Sequence, residues 1–93
     1  MNSIDLVVAE RCAHYGIIAT CLKNRPASNG GDVLTAARMQ IAWELRRKWG
    51  EYGLALQPSF PQIAKAVGYR SHEGVIGAVR KIDSRMDAKA GAA

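Results

Sequence analysis

The sequence predicts an all-α fold, a small helical bundle. Three observations carry this. Apolar residues recur at helical spacing in stretches separated by breaks rich in Gly, Pro, Asn and Ser. No β-branched run alternates with polar residues, so strands are not expected. Six aromatic residues in a 93-residue chain that is 48% hydrophobic leave most of the core to aliphatic side chains packed between helices. A chain this short forms one domain and buries about two-thirds of its unfolded surface. The expected domain spans residues 1–88, with a helix-turn-helix at about 59–87 and a frayed tail at 89–93. No internal repeat is visible.

Ser3 is positioned to cap a first helix, in which Ile4, Val8, Arg11, Cys12 and Tyr15 follow at helical spacing. This helix is expected to reach about His14 and to end near Gly16. A short second helix is expected around Ile17 to Leu22. Residues 23–31, Lys-Asn-Arg-Pro-Ala-Ser-Asn-Gly-Gly, then form a loop with two basic residues and no acid. Asp32 can cap the next helix, where Leu34, Ala37, Ile41, Leu45 and Trp49 mark one face and Arg38, Arg46 and Arg47 lie opposite. Gly50 is expected to end it. Trp43 and Trp49 are read as core residues. The clearest start is Ser59-Phe60-Pro61-Gln62: serine caps, proline sits where no N–H is needed, and glutamine completes a capping box. Gly68 stops that short helix, with Ala64 four residues earlier allowing close approach at the turn. Tyr69 is expected to pack on the turn. Ser71 caps a last helix that presents Val75, Val79, Ile82 and Met86 to the core.

The net charge is +5. Between Arg38 and Lys81, eight basic residues face three acidic ones, and outside that span the charges cancel. A basic concentration on a small helical domain fits either a polyanion partner or a solvated face that keeps the protein soluble. No stretch approaches the ~20 apolar residues of a membrane span, and the N-terminus does not read as a leader. The expectation is a cytoplasmic, nucleoid-associated protein with no membrane partner, in which Cys12 and Cys21 are free thiols. Cys12, His14 and Cys21 lack the close pairing of a structural zinc site, so no metal is expected. No phosphate-cradling glycine loop and no nucleophile–base pair is present, so neither an enzyme nor a bound cofactor or nucleotide is expected.

A short helix, a tight glycine turn and a longer helix with basic residues form a helix-turn-helix pattern, which occurs both in DNA-binding domains and in ordinary helical hairpins. The block SFPQIAKAVGYRSHEGVIGAVRKI, residues 59–82, resembles the C-terminal DNA-binding domain (domain IV) of the replication initiator DnaA. That family reads S-L-P-E-I-G, then G-R-D-H-T-T-V, then A-x-R-K-I, without a gap relative to this chain. Arg38-Met39-Gln40-Ile41-Ala42-Trp43-Glu44-Leu45 is more loosely similar to the family's R-Q-I-A-M-Y-L stretch. Ile4-Asp5 and Tyr15-Gly16-Ile17 are similar to its opening helix.

The resemblance implies a Trp-repressor-like helical domain that binds double-stranded DNA and regulates replication initiation or transcription. The family's ATPase module has no counterpart in these 93 residues. By resemblance Arg70, Ser71, His72, Glu73 and Gly74 enter the major groove. Gln40, Arg47, Phe60, Pro61 and Lys81 match positions at the phosphate backbone, and Arg38, on the basic side of the same helix, is placed with them. Lys23 and Arg25 fall in the loop that reaches the minor groove.

The chain departs from the family at Ser71, where the family has Asp, and at Glu73 and Gly74, where it has two threonines. Glu73 offers only acceptors and repels phosphate; Gly74 offers no side chain. These changes imply a preferred site other than the family's nine-base box, or weak specificity. They also motivate an alternative, a protein-interaction module that keeps the fold and binds a replication or transcription partner. His72 can instead be a plain exposed first-turn residue, and Glu73 can serve the helix dipole.

Overall fold

The structure is a computed structural model that describes residues 3–18, Thr20, Leu22 and 33–91 of the chain. Among these residues the architecture is all helical, with no strand. Four α-helices are α1 (Ile4–His14), α2 (Val33–Arg47), α3 (Phe60–Val67) and α4 (His72–Gly91), and a 3-10 turn spans Trp49–Tyr52. α4 packs against both α2 and α3, and α1 closes the bundle by packing against the same two helices.

α1 starts where expected. The Ser3 hydroxyl accepts the Leu6 N–H at 3.3 Å, and the chain leaves the helix through Gly16 at φ +72°, a conformation that favours glycine. Val7, Val8 and Cys12 are buried, Cys12 as a free thiol. Of the expected second helix, Thr20 and Leu22 are helical and Leu22 is fully buried. Ala19, Cys21, loop 23–31 with Lys23 and Arg25, and Asp32 lie outside the described residues.

α2 is the central helix, and its burial corrects the face expected for it. Ala37, Arg38, Ile41, Ala42, Trp43, Glu44 and Leu45 are all buried, whereas Leu34 is only half-buried. α1, α3 and α4 surround α2, so a single apolar stripe understates what it covers. The helix also stops earlier than expected, at Arg47. The chain then tightens into the 3-10 turn, and Gly53 at φ +80°, not Gly50, takes the left-handed position. The extra turn brings the Leu54 N–H to the Trp49 carbonyl at 3.2 Å and buries the Leu54 side chain.

α3 carries the complete capping box. The Ser59 hydroxyl accepts the Gln62 N–H at 3.3 Å, and the Gln62 side chain accepts the Ser59 N–H at 2.9 Å. Its buried face is Ile63, Ala64, Ala66 and Val67. At the other end Gly68, at φ +88°, lets the Ala64 carbonyl accept from both Gly68 (3.0 Å) and Tyr69 (2.9 Å). α4 buries Val75, Ala78, Val79 and Ile82. Met86, expected in the core, is 45% exposed. At 20 residues α4 is about 30 Å long and outruns the 15-residue α2 and the eight-residue α3. The helix continues to Gly91, through the segment expected to fray; Ala88 and Ala90 are strong helix formers. No helix among the described residues is long and apolar enough to cross a membrane.

Candidate nucleic-acid interface

α3, the turn 68–71 and α4 follow one another in the stretch expected to hold the helix-turn-helix, and the two helices pack together. The Gly74 N–H donates to the Ser71 carbonyl at 3.3 Å, which places Ser71 at the cap of α4. Arg70, Ser71, His72 and Glu73 are contiguous and exposed at this corner, and Gly74 is half-buried. Glu73 lies in the first turn, where the helix dipole favours an acid. Two turns further on, Arg80 and Lys81 are also exposed. Among the described residues, Arg70, Arg80 and Lys81 have no ion-pair partner, whereas Arg11 and Arg47 do.

Tyr69 and Gly74 are fitted to each other. A Cβ added at Gly74 would stand 2.7 Å from Cδ1 of Tyr69 and 3.2 Å from Cγ. The ring therefore occupies the space into which a side chain at position 74 would project. Tyr69 also packs against the core, and burial pushes its hydroxyl pKa up. Tyr69, Gly74, Gly77 and Lys81 line one open cleft of about 230 Å³, whose far wall is Thr35 and Met39 of α2.

The residues expected at the phosphate backbone differ in burial. Arg38 is 1% exposed, and this corrects its expected place on the outer side of α2. Its Nε donates to the Val67 carbonyl at 2.9 Å and its Nη2 to the Leu22 carbonyl at 2.8 Å. The guanidinium thus joins the last residue of α3 to residue 22, from inside the bundle. Carbonyls at a helix end lack an intrahelical donor, and a buried arginine with several N–H groups satisfies them. Gln40 lies 3.5 Å from the Glu44 carboxylate. Arg47 is exposed but pairs with Asp83 of α4 at 2.6 Å. Phe60 is half-buried under the Arg46 guanidinium, 4.1 Å from the ring centre, and Arg46 donates to the Pro58 carbonyl at 2.9 Å. Pro61 is exposed. Lys23 and Arg25 belong to the segment outside the described residues.

Two further groups knit the helices behind this corner. Buried Glu44 accepts from Arg11 Nε at 3.0 Å, Arg11 Nη2 at 3.1 Å and the Tyr15 hydroxyl at 2.7 Å, which ties α1 to α2. The carboxylate holds the Arg11 guanidinium well above its ordinary pKa. Asp83 accepts from Arg47 and, at 2.8 Å, from the indole N–H of Trp43, and these bonds lower its pKa. Trp43 is core, as expected; Trp49 is half-buried against it.

Lys65, Ile76 and Arg80 lie on the two helices of this corner without having been singled out by the resemblance. Lys65 is exposed on α3, and Ile76 is half-buried one turn from both His72 and Arg80. Ile76 and Arg80 share a helix face with His72, at spacings of four and eight residues. Comparison of the chain with family models, curated proteins and solved structures finds no match.

Proposed function

We propose that this chain is a double-stranded DNA-binding domain of the DnaA domain IV type, without ATPase activity, which acts in replication initiation or transcription regulation. α4 would enter the major groove by its first turn, and the loop with Lys23 and Arg25 would reach the minor groove. The observation that carries the reading is the division of the cations. Arg38, Arg46 and Arg47 are engaged by other groups of the fold, while Arg70 just before α4 and Arg80 and Lys81 two turns along it stand exposed. Exposed cations around a helix that projects its first turn are suited to phosphates flanking a groove.

The test is duplex binding across a salt series. Affinity is expected to fall steeply with salt, since each neutralised phosphate releases counterions. Arg25→Ala and His72→Ala are each expected to weaken binding. Unchanged binding in both variants would show that the surface is wrongly assigned. Affinity for the family's nine-base box is expected to be close to that for a scrambled duplex, because Ser71, Glu73 and Gly74 depart from the family; strong preference for the box refutes that expectation. The alternative, a protein-interaction module, is favoured by the exposed carboxylate of Glu73 on the reading turn. A captured protein partner without any mobility shift on DNA would support it.

A further inference from the structure

The first turn of a helix laid into the major groove is the part that meets base edges. The third residue of α4 is Gly74, which has no side chain to offer. Cα–Cβ bonds tilt toward the helix N-terminus, so the surface a residue covers lies over the preceding turn. At position 74 that space is filled by the ring of Tyr69, 2.7 Å from where a Cβ would stand. Tyr69 packs against the core and also lines the open cleft with Gly77 and Lys81. The hydroxyl makes no hydrogen bond to another described residue, and no buried side-chain polar atom among them lacks a partner, so it reaches solvent. An aromatic ring seated on the reading turn is thus presented from outside the helix itself.

We infer that Tyr69, seated against Gly74, is a specificity-determining residue that reads one base pair through contact of its ring with a thymine 5-methyl group. The inference rests on the duplex-binding reading above. The thymine methyl is the apolar group exposed in the major groove, and it fits a ring surface where a hydrogen-bonding edge would not. Gly74 is the partner that makes room. A side chain there would displace the ring, so the two positions act as one reading element.

The experiment is selection from a random duplex library with the wild-type chain, Tyr69→Ala, Tyr69→Phe and Gly74→Ala, with thermal unfolding to verify the fold. Uracil then replaces each thymine of the wild-type site in turn. The wild type is expected to select thymine at a position where uracil weakens binding about fourfold, the loss of one buried methyl group. Tyr69→Phe should keep that preference. Tyr69→Ala and Gly74→Ala should both lose it at the same position, with the salt dependence unchanged. Gly74→Ala retains the tyrosine, so it decides the matter even where Tyr69→Ala fails to fold. Identical selected sites and identical uracil sensitivity in the wild type and Gly74→Ala overturn the inference. Duplex binding without a thymine preference overturns the inference alone, and absence of duplex binding by the wild type overturns the parent reading with it.

Discussion

The arginines of α2 and the exposed cations Arg70, Arg80 and Lys81 on and before α4 share one basic stretch of sequence and have different fates. In α2, Arg38 bridges two backbone carbonyls in the interior, Arg46 covers Phe60, and Arg47 pairs with Asp83. Around α4, Arg70, Arg80 and Lys81 project outward without an ion-pair partner among the described residues. Local charge density therefore does not locate a polyanion site by itself. A helix surrounded by others uses its cations to satisfy carbonyls and carboxylates, whereas a helix at the edge leaves them for solvent or a ligand.

This contrast is sharpest at Arg38. Arg38→Met should cost on the order of 3 kcal/mol of stability, because it strands the Val67 and Leu22 carbonyls in a buried site. Chemical denaturation measures this; a loss below ~1 kcal/mol would mean that water replaces the guanidinium. Next comes Glu44→Gln, expected to cost about 2 kcal/mol, because it weakens the bonds to Arg11 and leaves that guanidinium without its counter-charge. Both changes should lower duplex binding only in proportion to the unfolded fraction.

The other side of the comparison inverts this pattern. The double variant Arg80→Ala/Lys81→Ala should change stability by less than ~0.5 kcal/mol, as expected for exposed positions. Under the proposed function it should weaken duplex binding and shallow the salt slope by about 0.9 for each phosphate that is no longer neutralised. An unaltered slope would remove α4's cations from the interface. Arg47 tests the boundary between the two groups. Its pair with Asp83 is partly exposed, with side-chain exposures of 48% and 34%, so Arg47→Ala should cost no more than ~1 kcal/mol.

The smallest effect is acid dependence. The Arg47 and Trp43 bonds lower the pKa of Asp83 in the folded state. Its stabilising contribution is therefore present above the unfolded carboxylate value, about 3.9, and is lost as pH falls through the lower folded value. The stability difference between wild type and Asp83→Asn should be flat above about pH 5 and vanish in stronger acid. A difference that grows toward low pH would contradict the ion pair.

What the sequence makes legible is local. The Ser3 cap, the Ser59–Gln62 capping box and the Gly68 stop involve residues three or four apart, and side chains at that range find one another once the helix forms. The exposed corner Arg70–Glu73 was legible for the same reason, because it follows directly from the turn. Tyr69 packing on the turn was expected, but its fit against Gly74 was not. That fit depends on where the ring folds back, five residues away and across the cap of α4. Met86 was misplaced because periodicity reports a helix face and not how far the neighbouring helices extend.

From sequence alone came the helical class, the order of the helices, their caps and the concentration of charge, all set by local backbone energetics and by hydrophobic period. Tertiary structure decided which cations face outward. Arg38, inside α2, and Arg70, in the turn before α4, carry the same guanidinium group. Only the packing of α1, α3 and α4 around α2 makes one a buried bridge between carbonyls and leaves the other exposed at the corner. Burial of a charge is governed by what surrounds it in space, and no residue's own neighbours in sequence supply that information.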